Sequence, residues 1–388
     1  MKKRNALQIL NYLKINQNSM IEFLNKLVHA ESPSKNVFSQ TKILNILKSE
    51  LEELNYYVFI MPGKKTGGYL YSRPLRRKKR ESIQLIIGHC DTVWSENTIL
   101  KMPVKFEDFK MTGPGIFDMK AGLTQIIYSL KAIHELTLNC NLTPIILINS
   151  DEEIGSIEST NSIKRISRIA NRAFILEPPL GIKGKLKTSR KGIGKFNLTI
   201  RGASAHAGLN PEKGVSAIME LSHQIQYLFS LNDFSRGISV NVGMIEGGTS
   251  PNVIAAESKA VIDVRVENVA DSEFISNKIL NLKPIHKDVE LFVDGYFGRP
   301  PMEKTKRNQK LWKTAKKLGN LIDINLEQSS VGGGSDGNTT STYTATLDGL
   351  GTTGDGAHAL HEFIFTDKLI ERTALLTLLL TANSVELV

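Results

Sequence analysis

The segment that decides the fold of this chain is Ile83-Gln84-Leu85-Ile86-Ile87-Gly88-His89-Cys90-Asp91. Its first half is an apolar run of the kind that forms a buried strand. Because successive side chains of a strand point to opposite faces, we expect His89 and Asp91 to share one face and Cys90 to point into the core. An imidazole followed two residues later by a carboxylate indicates a metal ligand and the acid that orients it. The same pair also occurs at solvated strand ends without a metal. Residues elsewhere in the chain are therefore needed to distinguish a metal site from a solvated pair.

Helical and extended patterns alternate on both sides of this strand. Further strands are predicted at 144–149 and 173–176, with helices between them, and this alternation predicts an α/β domain with a mostly parallel sheet covered on both faces. From about Lys187 the order becomes strand, helix, two strands, helix and strand, which indicates a ferredoxin-like α+β unit with an antiparallel sheet. We therefore expect an α/β domain of residues 1–187 and 298–388 with a second domain inserted at 188–297.

The composition indicates a soluble globular protein. The chain has 388 residues, of which 41% are hydrophobic and 23% charged, enough for two domains with proper cores. Two cysteines argue against a disulfide scaffold. The basic start Met1-Lys2-Lys3-Arg4 leads into no signal-peptide core, and no apolar run is long enough to span a bilayer. We expect a cytoplasmic protein.

The formal net charge of +10 raises the question of a nucleic-acid partner. The densest basic run, at 76–80, lies between two predicted strands and is typical of a solvated hairpin turn. A second basic cluster, at 183–195, is interleaved with glycine and would steer anionic substrates. Neither run is interleaved with aromatic residues on which bases could stack. We expect no nucleic acid and no membrane as partner, and keep a non-catalytic basic binding protein as a competing hypothesis.

Several polar groups follow predicted strands and helix starts of the α/β pattern. They are His89 and Asp91, Asp118, Glu152 and Glu153, Glu177, and His358. The carboxyl ends of the strands form the functional crevice of an open α/β sheet, so we expect these side chains to meet there. Histidines and carboxylates without cysteine suit a zinc-type site, and one bridging carboxylate would hold two metals. For any single acid, a helix cap or a surface charge is the alternative.

Short motifs follow one another along nearly the whole chain, and each is weak when taken alone. In chain order they are Glu31-Ser32-Pro33-Ser34, Gly88-His89-Cys90-Asp91-Thr92-Val93, Gly115-Ile116-Phe117-Asp118-Met119-Lys120-Ala121-Gly122, Asp151-Glu152-Glu153-Ile154-Gly155-Ser156, Glu177-Pro178, Ala205-His206-Ala207-Gly208, Ser250-Pro251-Asn252-Val253-Ile254, Gly298-Arg299-Pro300-Pro301-Met302-Glu303 and Gly354-Asp355-Gly356-Ala357-His358. Together they resemble the dinuclear-zinc peptidase and deacylase family of aminoacylases, glutamate carboxypeptidases, acetylornithine deacetylases, succinyl-diaminopimelate desuccinylases and di- and tripeptidases. The resemblance implies a zinc-hydrolase catalytic domain with an inserted ferredoxin-like lid or dimerisation domain.

The same resemblance implies a role for each residue of the predicted metal site. The expected ligands are His89, Asp118 and Glu177 for one zinc ion and Asp118, Glu153 and His358 for the other. Asp118 would bridge the two ions, Asp91 would hold His89, and Glu152 would be the general base. Cobalt and manganese remain alternatives to zinc. His361 is a rival for His358, but the Gly-Ala-His match and Glu362 four residues later favour His358.

The predicted activity is metal-dependent hydrolysis of an amide bond in a small N-acyl amino acid or a short peptide with a free carboxylate. His206 would donate to the tetrahedral oxyanion, and Arg299 would clamp the substrate carboxylate. Asn252 and Arg265 are further candidate substrate contacts, with a turn asparagine and a strand-end ion pair as the plain alternatives. An aminopeptidase-type di- or tripeptidase is the competing function, because some of these enzymes carry Asp where this chain has Glu177. We also expect a homodimer in which His206 reaches the partner's site, the alternative being that it serves its own.

Overall fold

The computed structural model of the protein describes residues 3–77 and 81–383. The chain divides into two compact units. The first unit holds the residues up to Thr188, Lys304–Val331 and the residues from Ser335 onward, and the second holds Ser189–Glu303 and Gly332–Gly334. The second unit overlaps the insertion predicted at 188–297. It extends further, to Glu303, and also includes a short glycine loop.

The described residues contain helices of between one and five turns. They are α1 (Lys3–Ile15), α2 (Gln17–His29), α3 (Val37–Glu53), α4 (Thr98–Lys101), α5 (Ala121–Glu135), α6 (Thr160–Ser167), α7 (Ala217–Ser230), α8 (Val269–Leu280), α9 (Lys306–Gly319), α10 (Asp336–Tyr343) and α11 (Thr366–Thr381). Local side chains define several helix starts. Asn36 accepts the Ser39 N–H at the start of α3, and Thr305 accepts the Asn308 N–H at the start of α9. None of the described helices combines the length and the apolar character that a membrane crossing needs.

The strands fall into a main sheet, a sheet in the second unit and two small sheets. They are β1 (Tyr56–Met61), β2 (Tyr69–Pro74), β3 (Ile83–His89), β4 (Phe106–Glu107), β5 (Lys110–Thr112), β6 (Thr143–Asn149), β7 (Ala170–Ile175), β8 (Leu186–Arg190), β9 (Gly192–Arg201), β10 (Ser239–Gly247), β11 (Glu257–Val266), β12 (Glu290–Arg299), β13 (Gln328–Val331), β14 (Ala345–Leu347), β15 (Gly354–Asp355) and β16 (Phe363–Phe365).

The main sheet of the first unit has six strands in the order β1-β2-β6-β3-β7-β14. Strand β3 pairs in parallel with β6 and β7, and β14 pairs in parallel with β7. Strands β1 and β2 are antiparallel additions at one edge. The α/β class is therefore confirmed, and the parallel strands are the ones that bear the predicted site.

Strand β3 lies in the middle of this sheet and is buried along its whole length. Ile83, Leu85 and Ile87 contribute to the apolar cluster on one face of the sheet. Ile86 points the other way, into the larger cluster that the helices cover. A parallel strand covered on both faces reads as a continuous apolar run, which is why the sequence signal was clear here. Cys90 is buried at its end, as expected.

The second unit is an antiparallel sheet in the order β10-β11-β9-β12 with helices α7 and α8. Phe196, Leu198 and Ile200 alternate along β9 and join residues of both helices in one apolar cluster. The intervening side chains of β9 are intermediate or exposed. This one-sided core confirms the predicted strand, helix, two strands, helix and strand order of a ferredoxin-like unit.

Some element boundaries differ from those that the sequence pattern predicts. The pattern predicts a helix from about Phe117 to Leu136, but helix α5 begins at Ala121, because Asp118 and Met119 have non-helical dihedral angles. A flexible turn is predicted at 332–336, and helix α10, which was not predicted, begins at the last of these residues, Asp336. The strand expected to end at Val293 continues to Arg299 through its pairing with β9. Part of the basic run at 76–80, residues 78–80, lies outside the described residues, as do Met1-Lys2 and Ser384, the predicted end of the last helix.

Candidate metal centre

Three neighbouring strands bring the first group of predicted site residues together. His89 ends β3 and lies opposite Asn149, the last residue of β6. Glu152 follows in the short turn after β6, and Glu177 follows the end of β7. Because β6, β3 and β7 are adjacent and parallel, their carboxyl ends share one edge of the sheet. One ligand atom from each of His89, Glu152 and Glu177 lies within 4.8 Å of the other two.

His89 is oriented so that its Nε2 faces carboxylates. Its Nδ1 donates a hydrogen bond to the backbone oxygen of Asp91 at 3.0 Å, and this fixes the proton on Nδ1. The other ring nitrogen, Nε2, lies 3.1 Å from Asp118 Oδ1 and 3.5 Å from Glu177 Oε1. A neutral histidine held in this way presents the lone pair of Nε2, the arrangement found in histidine metal ligands.

Asp118 stands between two imidazoles. Its Oδ1 faces His89, and its Oδ2 lies 3.5 Å from His358 Nε2. His358 Nε2 also lies 3.2 Å from Glu153 Oε2. Ligand atoms of His89, Asp118 and Glu153 form a second set within 4.8 Å of one another. Each oxygen of Asp118 therefore faces a different histidine, which is the geometry that a bridging carboxylate requires.

His358 and its rival His361 lie in the loop between β15 and β16. Both residues are exposed, but the side chain of His358 is half covered and its backbone has a φ of +62°. Non-glycine residues in this left-handed region are uncommon and cluster at functional sites. Of these two histidines, it is His358 that makes ion pairs with Asp118 and Glu153.

The carboxylates of the cluster hold protons on its histidines. Burial by itself lowers the pKa of His89, but the surrounding carboxylates, Asp118 foremost, outweigh it and hold the pKa well above the ordinary value. Hydrogen bonds to Asp118 and Glu153 raise the pKa of His358 to about 10. Burial raises the pKa of Asp118, yet its bonds to His358 and His89 outweigh this and hold the pKa far below its usual range. The site thus attracts positive charge strongly.

The donor set fits two divalent ions. Burial raises the pKa of Glu153, and its Oε1 is buried without a hydrogen-bond partner among the described residues. A buried carboxylate oxygen without a donor is costly unless a cation binds it. Imidazole nitrogen and carboxylate oxygen are ligands that zinc, cobalt and manganese accept. Because the raised pKa values favour protons on His89 and His358, metal binding has to release those protons.

Asp91 lies against His89, as expected, and also contacts a neighbouring turn. Its Oδ1 is 3.5 Å from His89 Nδ1, and its backbone oxygen accepts the hydrogen bond of that nitrogen at 3.0 Å. The carboxylate also accepts the backbone N–H groups of Glu152 and Glu153, each at 3.2 Å, and the hydroxyl of Ser34 at 2.8 Å. Asp91 therefore positions the turn that carries both glutamates. Ser34 belongs to one of the quoted motifs, but the sequence offered no sign of this contact.

Glu362 is a second residue whose contacts the sequence did not indicate. It is fully buried and accepts N–H groups from the Asp118 turn and from the indole of Trp94. Burial raises the pKa of Glu362 to about 7, in spite of these hydrogen bonds. The available signal was its position four residues after His358, which served only to favour that histidine.

Two other predicted residues, His206 and Asn252, lie in adjoining loops of the second unit. His206 forms an isolated bridge with Val253, and the N–H of Ala207 donates to the Asn252 backbone oxygen at 2.9 Å. His206 is exposed, and its Nδ1 accepts the N–H of Gly208 at 3.1 Å. The structure therefore brings these two residues together locally, and their catalytic roles remain predictions.

The two predicted arginines of the second unit differ in exposure. Arg265 is part of an ion pair with Asp263, with Nε 2.7 Å from Oδ1, which matches the plain alternative of a strand-end pair. Its Nη1 also donates to the Gly332 oxygen at 3.4 Å. Arg299 is buried at the end of β12, opposite Ile193. A Cβ at Gly334 would lie 2.8 Å from Arg299 Cδ, so the glycine permits this close approach.

Comparison with known proteins finds similarity to one family of peptidases. The profile of the M20 peptidase dimerisation domain matches residues 188–282. Carboxypeptidase G2 of Pseudomonas sp. (strain RS-16) is 27% identical over 359 residues, which cover 88% of this chain and 84% of that protein. Over most of its length the chain is therefore similar to M20 peptidases.

Solved structures agree with this fold over nearly the whole chain. Aminopeptidase PepT from Bacillus cereus superposes with a TM-score of 0.76 at 22% identity, covering 94% of this chain and 98% of that one. A dinuclear metal-binding M20 peptidase from Bacillus subtilis superposes with a TM-score of 0.67 at 15% identity, covering 95% and 98%. At these identities the likeness concerns the fold alone.

Proposed function

We propose that this protein is an M20 peptidase and a zinc-dependent hydrolase of the carboxypeptidase or deacylase type. Its substrate would be a small N-acyl amino acid or a short peptide with a free carboxylate. The observation that carries the proposal is the position of Asp118 between His89 and His358, with Glu152 and Glu177 beside the first histidine. Such a cluster suits a pair of metal ions with a general base next to them.

The chemistry divides between the metals and the protein. Two divalent ions would polarise the scissile carbonyl and lower the pKa of the attacking water. Glu152 would accept the proton of that water and pass it to the leaving amine. Asp91 accepts the backbone N–H of Glu152. This contact would help to keep the Glu152 carboxylate in place during both proton transfers. His89, Asp118 and Glu177 would hold one ion, and Asp118, Glu153 and His358 the other.

The preference for a free carboxylate rests on two features. Position 177 is Glu, as expected for the deacylase and carboxypeptidase side of the family, and the relative that aligns over 88% of this chain is named a carboxypeptidase. Arg299, Arg265 and Asn252 are the residues we propose for the substrate side, with a bidentate contact from an arginine to the carboxylate. The aminopeptidase type remains the competing function, favoured by the likeness to aminopeptidase PepT in fold.

Substrate pairs separate the two functions. The metal-loaded enzyme is tested on an N-acyl dipeptide with a free carboxylate, on its amidated twin, and on the same dipeptide with a free amine and an amidated carboxylate. We expect the first to be cleaved with the highest kcat/KM, and Arg265→Ala to raise KM for that substrate by about 10–100-fold without changing KM for the amidated twin. Preference of the parent enzyme for the free-amine, amidated substrate would establish the aminopeptidase type instead.

We also propose that the enzyme is a homodimer in which His206 stabilises the oxyanion in the partner's site. Support comes from the match of residues 188–282 to a peptidase dimerisation domain. Glu152→Gln and His206→Ala variants, each nearly inactive, are mixed under conditions where subunit exchange is demonstrated. Action in trans restores one intact site per mixed dimer, and activity returns. A mixture that stays inactive, or a monomer in sedimentation, contradicts the proposal.

Zinc as the working metal and the cytoplasm as the location belong to the same proposal. Zinc is supported by the nitrogen and oxygen ligands, which do not by themselves separate it from cobalt or manganese. A reducing compartment is supported by the two cysteines, Cys90 and Cys140, both of which are unpaired. Metal analysis of protein purified without added metal would decide the first point.

A further inference from the structure

The turn that carries Asp118 is irregular, and several of its backbone N–H groups point away from the turn. Between Gly115 and Lys120 the chain forms an irregular turn, and Asp118 and Met119 lack helical dihedral angles. Its backbone N–H groups therefore need acceptors from elsewhere in the fold. The direction of the Asp118 carboxylate depends on this backbone, because one oxygen has to reach His89 and the other His358.

One buried carboxylate supplies those acceptors. Glu362 Oε1 accepts the N–H of Phe117 at 2.8 Å and of Asp118 at 3.1 Å, and Oε2 accepts the N–H of Gly115 at 2.9 Å. The indole of Trp94 donates to Oε2 at 2.9 Å. Successive backbone N–H groups that converge on an anion form a well-known type of binding concavity. Here the anion is a side chain of the protein, with 0% of its surface exposed.

Glu362 also belongs to the loop that presents the other histidine. Its backbone N–H donates to Ala359, next to His358, at 3.0 Å, and its backbone oxygen accepts the N–H of Gly113 at 3.4 Å. The loop of His358 and the turn of Asp118 are thus joined through a single residue. On the other side of the turn, Lys120 donates to the backbone oxygens of Val28 at 3.4 Å and Ala30 at 3.1 Å.

We propose that Glu362 is a positioning residue that fixes Asp118 as the bridging ligand and couples it to His358. It acts through the backbone of Asp118 and through the loop backbone next to His358. The inference rests on the proposed metal site, and it adds a residue without which that site would bind both ions weakly. Since Asp118 serves both ions, loss of Glu362 should affect both at once.

The Glu362→Gln variant tests this with little change in shape. An amide offers one accepting oxygen, so either the pair of N–H groups at Oε1 or the pair at Oε2 would face an NH₂ donor. We expect both metal ions to bind about 10–100-fold more weakly, the usual cost of removing a residue that orients ligands. Affinity is measured by competition with a chromophoric chelator, and ligand geometry by the visible absorption of the Co²⁺-loaded protein.

Glu220→Gln provides a matched control. Glu220 is also buried, and it accepts the backbone N–H groups of Ile285 and His286 and the side-chain amide of Gln224, but it lies in the second unit. Both glutamine variants should lower the melting temperature of the metal-free protein. Only Glu362→Gln should weaken metal binding and alter the Co²⁺ spectrum. Parental affinity and spectrum in Glu362→Gln, whatever its melting temperature, would overturn the proposal.

Two further variants decide the matter if Glu362→Gln does not fold. Glu362→Asp keeps the charge but shortens the reach, so it should also weaken both ions, and parental affinity in this variant would overturn the proposal. Trp94→Phe removes one donor and leaves the three turn N–H groups in place, so its affinity should stay within about threefold of the parent. If the parent itself binds no divalent ions, the proposed function fails, and that result differs from a parent and variant that bind equally well.

Discussion

The predicted site residues of the two units differ in how their charges are satisfied. In the first unit His89, Asp118 and Glu153 crowd together, and a buried oxygen of Glu153 lacks a donor among the described residues. In the second unit Arg265 already pairs with Asp263, and His206 accepts an N–H from its own loop. In the first set the protons on the histidines balance the carboxylates and still leave that oxygen unsatisfied, whereas the charges of the second set already have local partners. The first unit therefore offers candidate metal ligands, and substrate contacts in the second would have to compete with local partners.

The largest expected effect comes from Asp118→Ala, which removes the group shared by both histidines. We expect the variant to lose both metal ions, and its activity to fall by more than about 10⁴-fold, as when a residue central to a catalytic unit is removed. Metal content is measured by elemental analysis after dialysis against chelator-free buffer. Asp323→Ala, which removes an exposed carboxylate paired with Lys3, serves as the control and should keep both ions. Retention of both ions by Asp118→Ala would show that the cluster is not a bridged metal site.

The next effect separates the two neighbouring glutamates. Glu152→Gln keeps the shape of the side chain and removes its proton affinity, so turnover should fall by roughly 10²–10⁴-fold with metal content unchanged. Glu153→Gln should instead lose one ion, because Glu153 faces His358 and Asp118. Metal analysis and single-turnover rates on both variants check this. Metal loss in Glu152→Gln together with activity in Glu153→Gln would require the roles to be exchanged.

The sequence was informative wherever a site residue directly follows a regular strand. The apolar run of β3 correctly placed His89 at the carboxyl end of that strand. Because β6, β3 and β7 are parallel neighbours, Glu152 and Glu177 lie close to His89. Periodicity predicts such elements because burial on both faces dictates it.

Contacts that depend on irregular backbone could not be predicted in the same way. Asp118 was expected at a helix start, but its turn is held by Glu362, which is 244 positions away in the chain. The carboxylate of Asp91 was expected beside its near neighbour His89, but the hydrogen bond that it accepts from the backbone N–H of Glu152, 61 positions away, was not predicted. No local pattern specifies a side chain that serves the backbone of a distant loop, because only the complete fold brings the two together.

The smallest expected effect concerns a buried carboxylate of the second unit that has enough donors without a metal. Burial alone would raise the pKa of Glu220, but hydrogen bonds from the His286 N–H, the Gln224 amide and the Ile285 N–H outweigh it and lower the pKa below 4.5. A carboxylate with a lowered folded-state pKa contributes stability that is present above its unfolded value and is lost as the pH falls through the folded value. At pH 7, Glu220→Gln should therefore cost about 1–3 kcal/mol in the free energy of unfolding, measured with urea, while metal content stays parental. Below about pH 4.5 the difference between parent and variant should begin to shrink, because the unfolded chain then takes up a proton at Glu220, and it should be smallest once the pH has fallen through the lower pKa of the folded protein. If the difference in the free energy of unfolding stays constant from pH 7 to acid pH, the shape of Glu220 and not its charge stabilises the second unit. The two units would then not differ in how they satisfy buried carboxylate charges.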